Sequence, residues 1–241
     1  MDDSSRDWRR YWRSASTANS AATAEALKQV GKTLLGSPVD DSQLDLIVDR
    51  IGSTLNLSTE DRVLDLGCGN GLLTESLQSL VAFVHGYDIS EPLITDARAY
   101  RMTTRTSYEI ADLVYDEFLH DPASTATKAY SYEVFQHFTP AEADRFLAYV
   151  NRSSAVDKLL VGSVPDRDRI REFYDTAERW NHYLDSIETG TEQIGTWWVA
   201  PDLVTLAERN GFTCSIIDQP ADLYTAHYRF DALLTRRHDH A

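Results

Sequence analysis

Cysteine is nearly missing from this chain: two residues in 241, Cys68 and Cys214. Two cysteines so far apart supply neither a disulfide framework nor zinc-ligand spacing, so a stapled secreted domain and a zinc module both drop out, and no metal site is implied. Positive charge is also short, with 23 Lys and Arg against 38 Asp and Glu and a net charge of −15. Nucleic-acid binders neutralise phosphates with Lys and Arg, so DNA or RNA is not expected as the main partner. No apolar run approaches the length of a membrane span, and the opening "MDDSSRDWRRYW" has no signal-peptide core, so no membrane partner is expected and the default is a cytoplasmic protein. What remains is ample: 42% of the residues are hydrophobic, enough for a sizeable core at a length suited to one α/β domain.

Periodicity divides the chain. Residues 14–26 are small, polar and Ala-rich, and read as a loop or a frayed helix. Leu44, Ile47, Val48, Ile51 and Leu55 recur at helical spacing, which predicts a helix over 42–56. From there strands and helices alternate. "RVLDLG" is a buried strand, and Leu72, Leu73, Ser76, Leu77 and Leu80 mark the helix after it. "AFVHGYDI", "TSYEIADL", "KAYSYEVF" and "DKLLVGSV" are further strands, with helices at 91–101 and from Thr139 onward. Thr139-Pro140-Ala141-Glu142 has the cap, first-turn proline and following glutamate of a helix start. Residues 166–185 and 202–210 are helical, and "TCSIID" and "YRFDALLT" close the chain as strands that should pair antiparallel. Such alternation implies a mostly parallel sheet with helices on both faces.

Three glycines fall within five residues in "VLDLGCGNGLLTESL", between the first strand of the series and its helix. In open α/β sheets ligands bind beyond the carboxyl ends of the strands, where this loop lies. It lacks the Lys and Ser/Thr of a phosphate-binding P-loop. The one "GKT", at Gly31-Lys32-Thr33, follows no strand and reads as chance. A dinucleotide fingerprint would need a third glycine where Leu72 stands. Three strand-end acids fit a different ligand. Asp65 suits an ammonium group, Asp88 suits the two hydroxyls of a ribose, and Asp112 suits an exocyclic amine. An amino group, a ribose, an adenine-like amine and no phosphate describe S-adenosylmethionine.

"VLDLGCGNG", "GYDIS", "IADL" and "YSYEVFQHF" together resemble the nucleoside-binding motifs of class I S-adenosylmethionine-dependent methyltransferases, in order and in register over roughly residues 60–165. The tail "GTWWVAPDLVTLAERNGFTCSIIDQP…HYRFDALL" is similar, more loosely, to small-molecule methyltransferases of bacterial biosynthetic clusters. The resemblance implies a Rossmann-like seven-stranded sheet whose last strand is antiparallel. It implies one domain, with residues 1–57 as an N-terminal helical cap or lid and 58–241 as the catalytic core. It places Gly67, Cys68 and Gly69 against the cofactor through backbone, and Asp65 near its amino group. Asp88 and Ile89 go to the ribose and adenine, Asp112 and Leu113 to the adenine, and the Ser131 carbonyl to the methionine part. Tyr11 and Arg13 would close over the methionine carboxylate.

His137 follows the fourth strand of the series, where the methyl group should lie, and is the candidate base, with bracing of its loop as the structural alternative. His182, Tyr183, Trp197, His227 and Arg229 are candidate walls of a pocket for a small-molecule acceptor, with packing or surface exposure as the alternative. The reaction expected is methyl transfer to an oxygen or nitrogen. A non-catalytic S-adenosylmethionine-binding protein and an NAD-dependent oxidoreductase stay as rivals, and a homodimer is allowed.

Overall fold

The computed structural model describes residues 7–15, 22–119, 125–153 and 155–237. Ahead of the main sheet come α1 (Trp8–Arg13), α2 (Thr23–Gln29), a small hairpin of β1 (Thr33–Leu34) and β2 (Ser37–Pro38), and α3 (Asp41–Leu55). The alternating region follows: β3 (Arg62–Leu66), α4 (Leu72–Leu77), β4 (Phe83–Asp88), α5 (Glu91–Tyr100), β5 (Thr106–Ile110), β6 (Lys128–Tyr132), α6 (Pro140–Ser153) and β7 (Lys158–Pro165). The chain continues through α7 (Ile170–Phe173), α8 (Ala177–Thr189), α9 (Ala200–Arg209), β8 (Phe212–Asp218) and β9 (Arg229–Arg236).

Seven strands form one sheet in the order β5-β4-β3-β6-β7-β9-β8. Neighbours from β5 to β7 are parallel. Only β9 runs against its neighbours, and it lies between β7 and β8. This is the expected fold, last strand antiparallel.

Side chains on successive strand residues point to opposite faces, and the core divides accordingly. On one face Leu64, Leu66, Ala129, Leu159 and Val161 pack with Phe146, Leu147, Val150, Leu203 and Leu206 of α6 and α9. On the other, Val63, Val84, Tyr130, Tyr132 and Leu160 pack with Leu44, Ile47, Ile51 and Leu55 of α3 and with Leu73 and Leu77 of α4. The helix expected at 42–56 therefore buries the residues that its periodicity marked, and it ends at Asn56 in a left-handed conformation (φ 50°). At the start of α6, Thr139 Oγ1 accepts from Glu142 N (3.3 Å) and Glu142 Oε2 accepts from Thr139 N (2.8 Å), a reciprocal cap that satisfies two otherwise unpaired donors.

Several boundaries differ from the expected ones. Helix α4 stops at Leu77, and Leu80 lies beyond it in a turn at the surface. The stretch 166–185 is not one helix. A turn of 3₁₀ helix and α7 end at Tyr174, and Thr176 caps α8 afresh by accepting from Arg179 N. Within 14–26, Thr23 already begins α2, which buries Ala26 and Leu27. Residues 16–21, part of the expected lid, lie outside the described residues.

Candidate active site

The strand order reverses direction between β3 and β6, which are neighbours although α4, β4, α5 and β5 separate them in the chain. At such a switch point the following connections leave on opposite faces and open a crevice at the carboxyl edge. A cleft of about 910 Å³, counted to where it meets solvent, lies there. Residues after β3, β4 and β5 line it (Gly67, Cys68, Gly69, Asn70, Asp88, Ile89, Asp112 and Leu113). So do residues after β6 (Glu133, Val134, His137, Phe138), and Trp8, Arg9, Trp12, Val30 and Lys32 from the N-terminal segment.

The loop after β3 keeps its shape through positive φ. Gly67 sits at φ 95°, and a side-chain carbon there would fall inside the Val134 side chain. Gly71, at φ 80°, faces the Tyr108 ring, which a side-chain carbon would meet at 2.6 Å. Cys68 is buried and its thiol is pushed well up by that burial and by the charges of Asp65 and Asp88, so it is a filler rather than a nucleophile. Asn70 ties the loop to α2, donating to Ala26 O (2.9 Å) and Gln29 Oε1 (2.8 Å).

Asp88 Oδ2 accepts from Gly69 N and Oδ1 from Ser90 N, each at 2.8 Å. Burial raises its pKa, against the pull of those backbone donors and Ile89 N. A carboxylate has about four acceptor sites, so with three backbone donors Asp88 keeps one, at the edge of the cleft it lines. Asp112 is more committed: Oδ2 receives Arg9 Nε (3.1 Å) and Arg13 Nη2 (3.4 Å), and Oδ1 receives Val114 N (3.1 Å).

Four residues expected at the cofactor, Asp65, Ser131, Tyr11 and Arg13, do not line the cleft. Asp65 is buried beneath the loop, where its Oδ2 accepts from Thr74 Oγ1 and Tyr130 Oη, both at 2.6 Å. Burial lifts its pKa to about 7, opposed by those two hydrogen bonds and by Lys32, and assisted by the Asp88 charge. The parallel register of β3 and β6 sets Asp65 beside Tyr130 and so turns the carboxylate inward. Ser131 is buried as well and uses its hydroxyl on Leu66 O (2.8 Å); Tyr132 and Glu133 line the cleft just after it.

Helix α1 covers the cleft, with a different face from the expected one. Trp8, Arg9 and Trp12 line it. Tyr11 is 46% exposed, on the far side of the turn, and Arg13 reaches only the rim through Asp112. Arg9 also pairs with Glu142 on α6, so one guanidinium clamps α1 to two acids.

The β6 side is polar and strained. Glu133 is at φ 61° and Ser163, at the β7 irregularity, at φ 58°, backbone states rare for residues with side chains. Glu133 pairs with the buried Lys32 and accepts from Tyr224 Oη (3.0 Å). Burial alone would raise its pKa, but the charges of Lys32 and Arg229 and these hydrogen bonds hold it below the usual value. Lys32, dismissed with "GKT" in the sequence, is thus in the cleft; an isolated lysine in a hairpin gives no periodic signal. His137 ends a 3₁₀ turn (Phe135–His137) and packs against the rings of Trp8 and Trp12. Burial, then the Arg229 charge, lower its pKa to about 3 against the pull of Glu133, and its Nδ1 has no partner.

The remaining candidates lie apart. His182 and His227 are at the surface. Tyr183 and Trp197 are buried with Tyr174 and Tyr228 in a separate aromatic cluster. Arg229 is buried behind Gln136 and Ser163 and is not itself a wall of the cleft.

Residues 63–155 match the family model described as "Methyltransferase domain". The chain is 44% identical over 46 residues to the ubiquinone biosynthesis O-methyltransferase of Shewanella sp. (strain ANA-3), covering 19% of this chain and 20% of that protein. It is 29% identical over 92 residues, 38% of each protein, to the one of the same name from Pasteurella multocida (strain Pm70). The chain therefore spans well under half the length of these curated relatives. Magnesium protoporphyrin IX methyltransferase from Synechocystis PCC 6803, crystallised with bound S-adenosylmethionine, has a similar fold, with a TM-score of 0.60 over 98% of each chain at 17% identity. The glycine loop and the acids at the ends of β4 and β5 sit at the switch point of a sheet with this fold, inside the stretch 63–155 that matches a methyltransferase domain.

Proposed function

We propose that the protein transfers a methyl group from S-adenosylmethionine to an oxygen or nitrogen of a small-molecule acceptor. The observation that carries this reading is the division of one cleft at the β3–β6 step, with a backbone-lined, acid-edged half facing a polar, aromatic-walled half. The first half fits the cofactor. Gly67 and Gly69 present backbone without side chains, Ile89 and Leu113 are apolar walls for a planar base, and Asp88 has an acceptor site left for a ribose hydroxyl. Asp112 would share its carboxylate between an adenine amine and Arg9. Lys32 keeps donors beyond the one given to Glu133 and would meet the methionine carboxylate.

When bound, the sulfonium supplies an electrophilic methyl group whose leaving group is already charged. The protein's part is then alignment and exclusion of water. Trp8 and Trp12 cover the cleft and exclude solvent. His137, neutral at physiological pH, offers Nδ1 to orient the nucleophile; an imidazole this weak is a poor acceptor of a whole proton. That suits a phenol or an amine, which can lose its proton to water. The named relatives are biosynthetic O-methyltransferases, which supports oxygen as the acceptor atom and a biosynthetic role.

Calorimetry with S-adenosylhomocysteine and with NAD, followed by transfer of labelled methyl to pooled phenols and amines, tests the proposal. Binding of S-adenosylhomocysteine and label in an acceptor are expected. NAD binding without any response to S-adenosylhomocysteine would sink it.

A further inference from the structure

We infer that the acceptor carries a carboxylate and that Arg229, the first residue of β9, receives it; the inference rests on the methyl-transfer reading above. Arg229 is only 4% exposed. Its Nη1 donates to Ser163 O (2.6 Å) and Gln136 Oε1 (2.5 Å), and its Nε has no partner. Among the described residues no carboxylate forms an ion pair with it. Of the two acids of its neighbourhood, Asp231 is paired with Arg50, and Glu133 is paired with Lys32 while its charge also acts on Arg229. Lys32 and Arg229 both act on Glu133 and His137 is uncharged, so two cations share one carboxylate beside the acceptor half of the cleft. A buried guanidinium that shares its one counter-charge with a second cation is only partly neutralised, and a ligand that brings an anion completes it.

The geometry selects the kind of anion and its place. A guanidinium presents donors in a planar fork that matches a carboxylate through two parallel hydrogen bonds, and the buried Nε of this fork has no hydrogen-bond partner. Gln136 links the cation to the reacting end: its Oε1 accepts from Arg229 while its Nε2 lies 3.4 Å from His137 Nε2. A carboxylate oxygen taking the position of Gln136 Oε1 would set the rest of the acceptor against His137. There Trp8, Trp12, Tyr132 and Phe138 offer ring faces and edges. The acceptor class is therefore a planar acid bearing a hydroxyl or amino group. The position of Arg229 beside β7, on the β6 side of the switch point, separates it from the half assigned to the cofactor.

The test compares matched probes on the full chain saturated with S-adenosylhomocysteine: 2-hydroxybenzoate, 4-hydroxybenzoate and 3,4-dihydroxybenzoate, each against its methyl ester. At least one acid is expected to bind about tenfold or more tighter than its ester, the scale of a charge-assisted contact. Arg229→Gln should erase that preference and Arg229→Lys, which keeps the charge without the fork, should retain part of it, with affinity for S-adenosylhomocysteine unchanged in both. If Arg229→Gln fails to fold, the wild-type acid-to-ester ratio and the Lys variant decide. Esters that bind as well as acids, no binding by any acid, or an acid that expels S-adenosylhomocysteine instead of joining it would each overturn the inference. A wild-type protein that ignores S-adenosylhomocysteine altogether would instead remove the methyl-transfer reading.

Discussion

The indole of Trp8 lies against the imidazole of His137, with ring centroids 4.4 Å apart and planes tilted by 47°. Trp12 approaches the same ring edge-on at 5.5 Å. The helix that covers the cleft thus also dries its one histidine, and Arg229 adds a repelling charge. The His137 resonances are therefore expected to show no titration between about pH 5 and 8, where a free histidine titrates near 6.5. In Trp8→Ala the midpoint should climb back toward that value. A depressed histidine pKa stabilises the fold above the unfolded pKa and loses that contribution as pH falls from about 6.5 toward 3. His137→Gln should accordingly flatten the acid side of the stability curve. A wild-type midpoint near 6.5 by NMR would contradict this account.

Asp88 braces the glycine loop and edges the cleft at once. Asp88→Ala removes the acceptor for Gly69 N and Ser90 N and any contact to a ribose. Affinity for S-adenosylhomocysteine should weaken by about 1–3 kcal/mol, the scale for hydrogen bonds to a charged group. Calorimetry measures it, and an unchanged affinity would leave Asp88 with a loop-bracing part alone.

Gly67→Ala meets two obstacles, the φ of 95° and the Val134 side chain. A loss of about 1–3 kcal/mol in stability is expected from the backbone alone, with further loss where Val134 must move. Thermal unfolding of Gly67→Ala beside the double variant Gly67→Ala/Val134→Ala separates the two. The second change should restore part of the loss; if it restores none, the contact with Val134 is not what requires glycine.

Asp65 holds a proton to about pH 7 in the folded chain, well above an unfolded aspartate. A raised carboxyl pKa stabilises at low pH, and the contribution is lost as pH rises from about 4 through 7. Asp65→Asn keeps an acceptor for Thr74 and Tyr130 without a charge. Its stability relative to wild type should therefore rise over that window, by up to about 1.4 kcal/mol per pH unit, and level off above it. Parallel melting curves for the two proteins from pH 4 to 8 would show that Asp65 is ionised throughout.

The parts legible in the sequence were those set by local chemistry. Positive-φ glycines after an apolar strand, acids at strand ends, and Thr139 with Glu142 at a helix start all announce themselves within a few residues. The missed parts depend on how distant elements meet. Which face of "WRRYWR" turns inward depends on where α1 docks, and Arg9 fixes that by reaching Asp112 and Glu142. Trp8 and Trp12 follow it into the cleft, whereas Tyr11 does not. The inward turn of Asp65 follows from a cross-strand neighbour, Tyr130, far along the chain. Lys32 is significant only because a hairpin delivers it to Glu133.

The place of β9 bears on how the protein is made. Among the described residues, strand β8 hydrogen-bonds to β9 and to no other strand of the sheet, and β9 joins β7. On a ribosome, residues 212–218 emerge before β9, their strand partner, exists. They must wait, with α9 to shelter Phe212, until residues 229–236 emerge and slot in beside β7. Arg229 heads that later strand, so its contacts with Gln136 and Ser163 form after the part built from β3, β4 and β5 has had time to assemble. A pause that exposes β8 without β9 would leave a strand edge open to unwanted pairing.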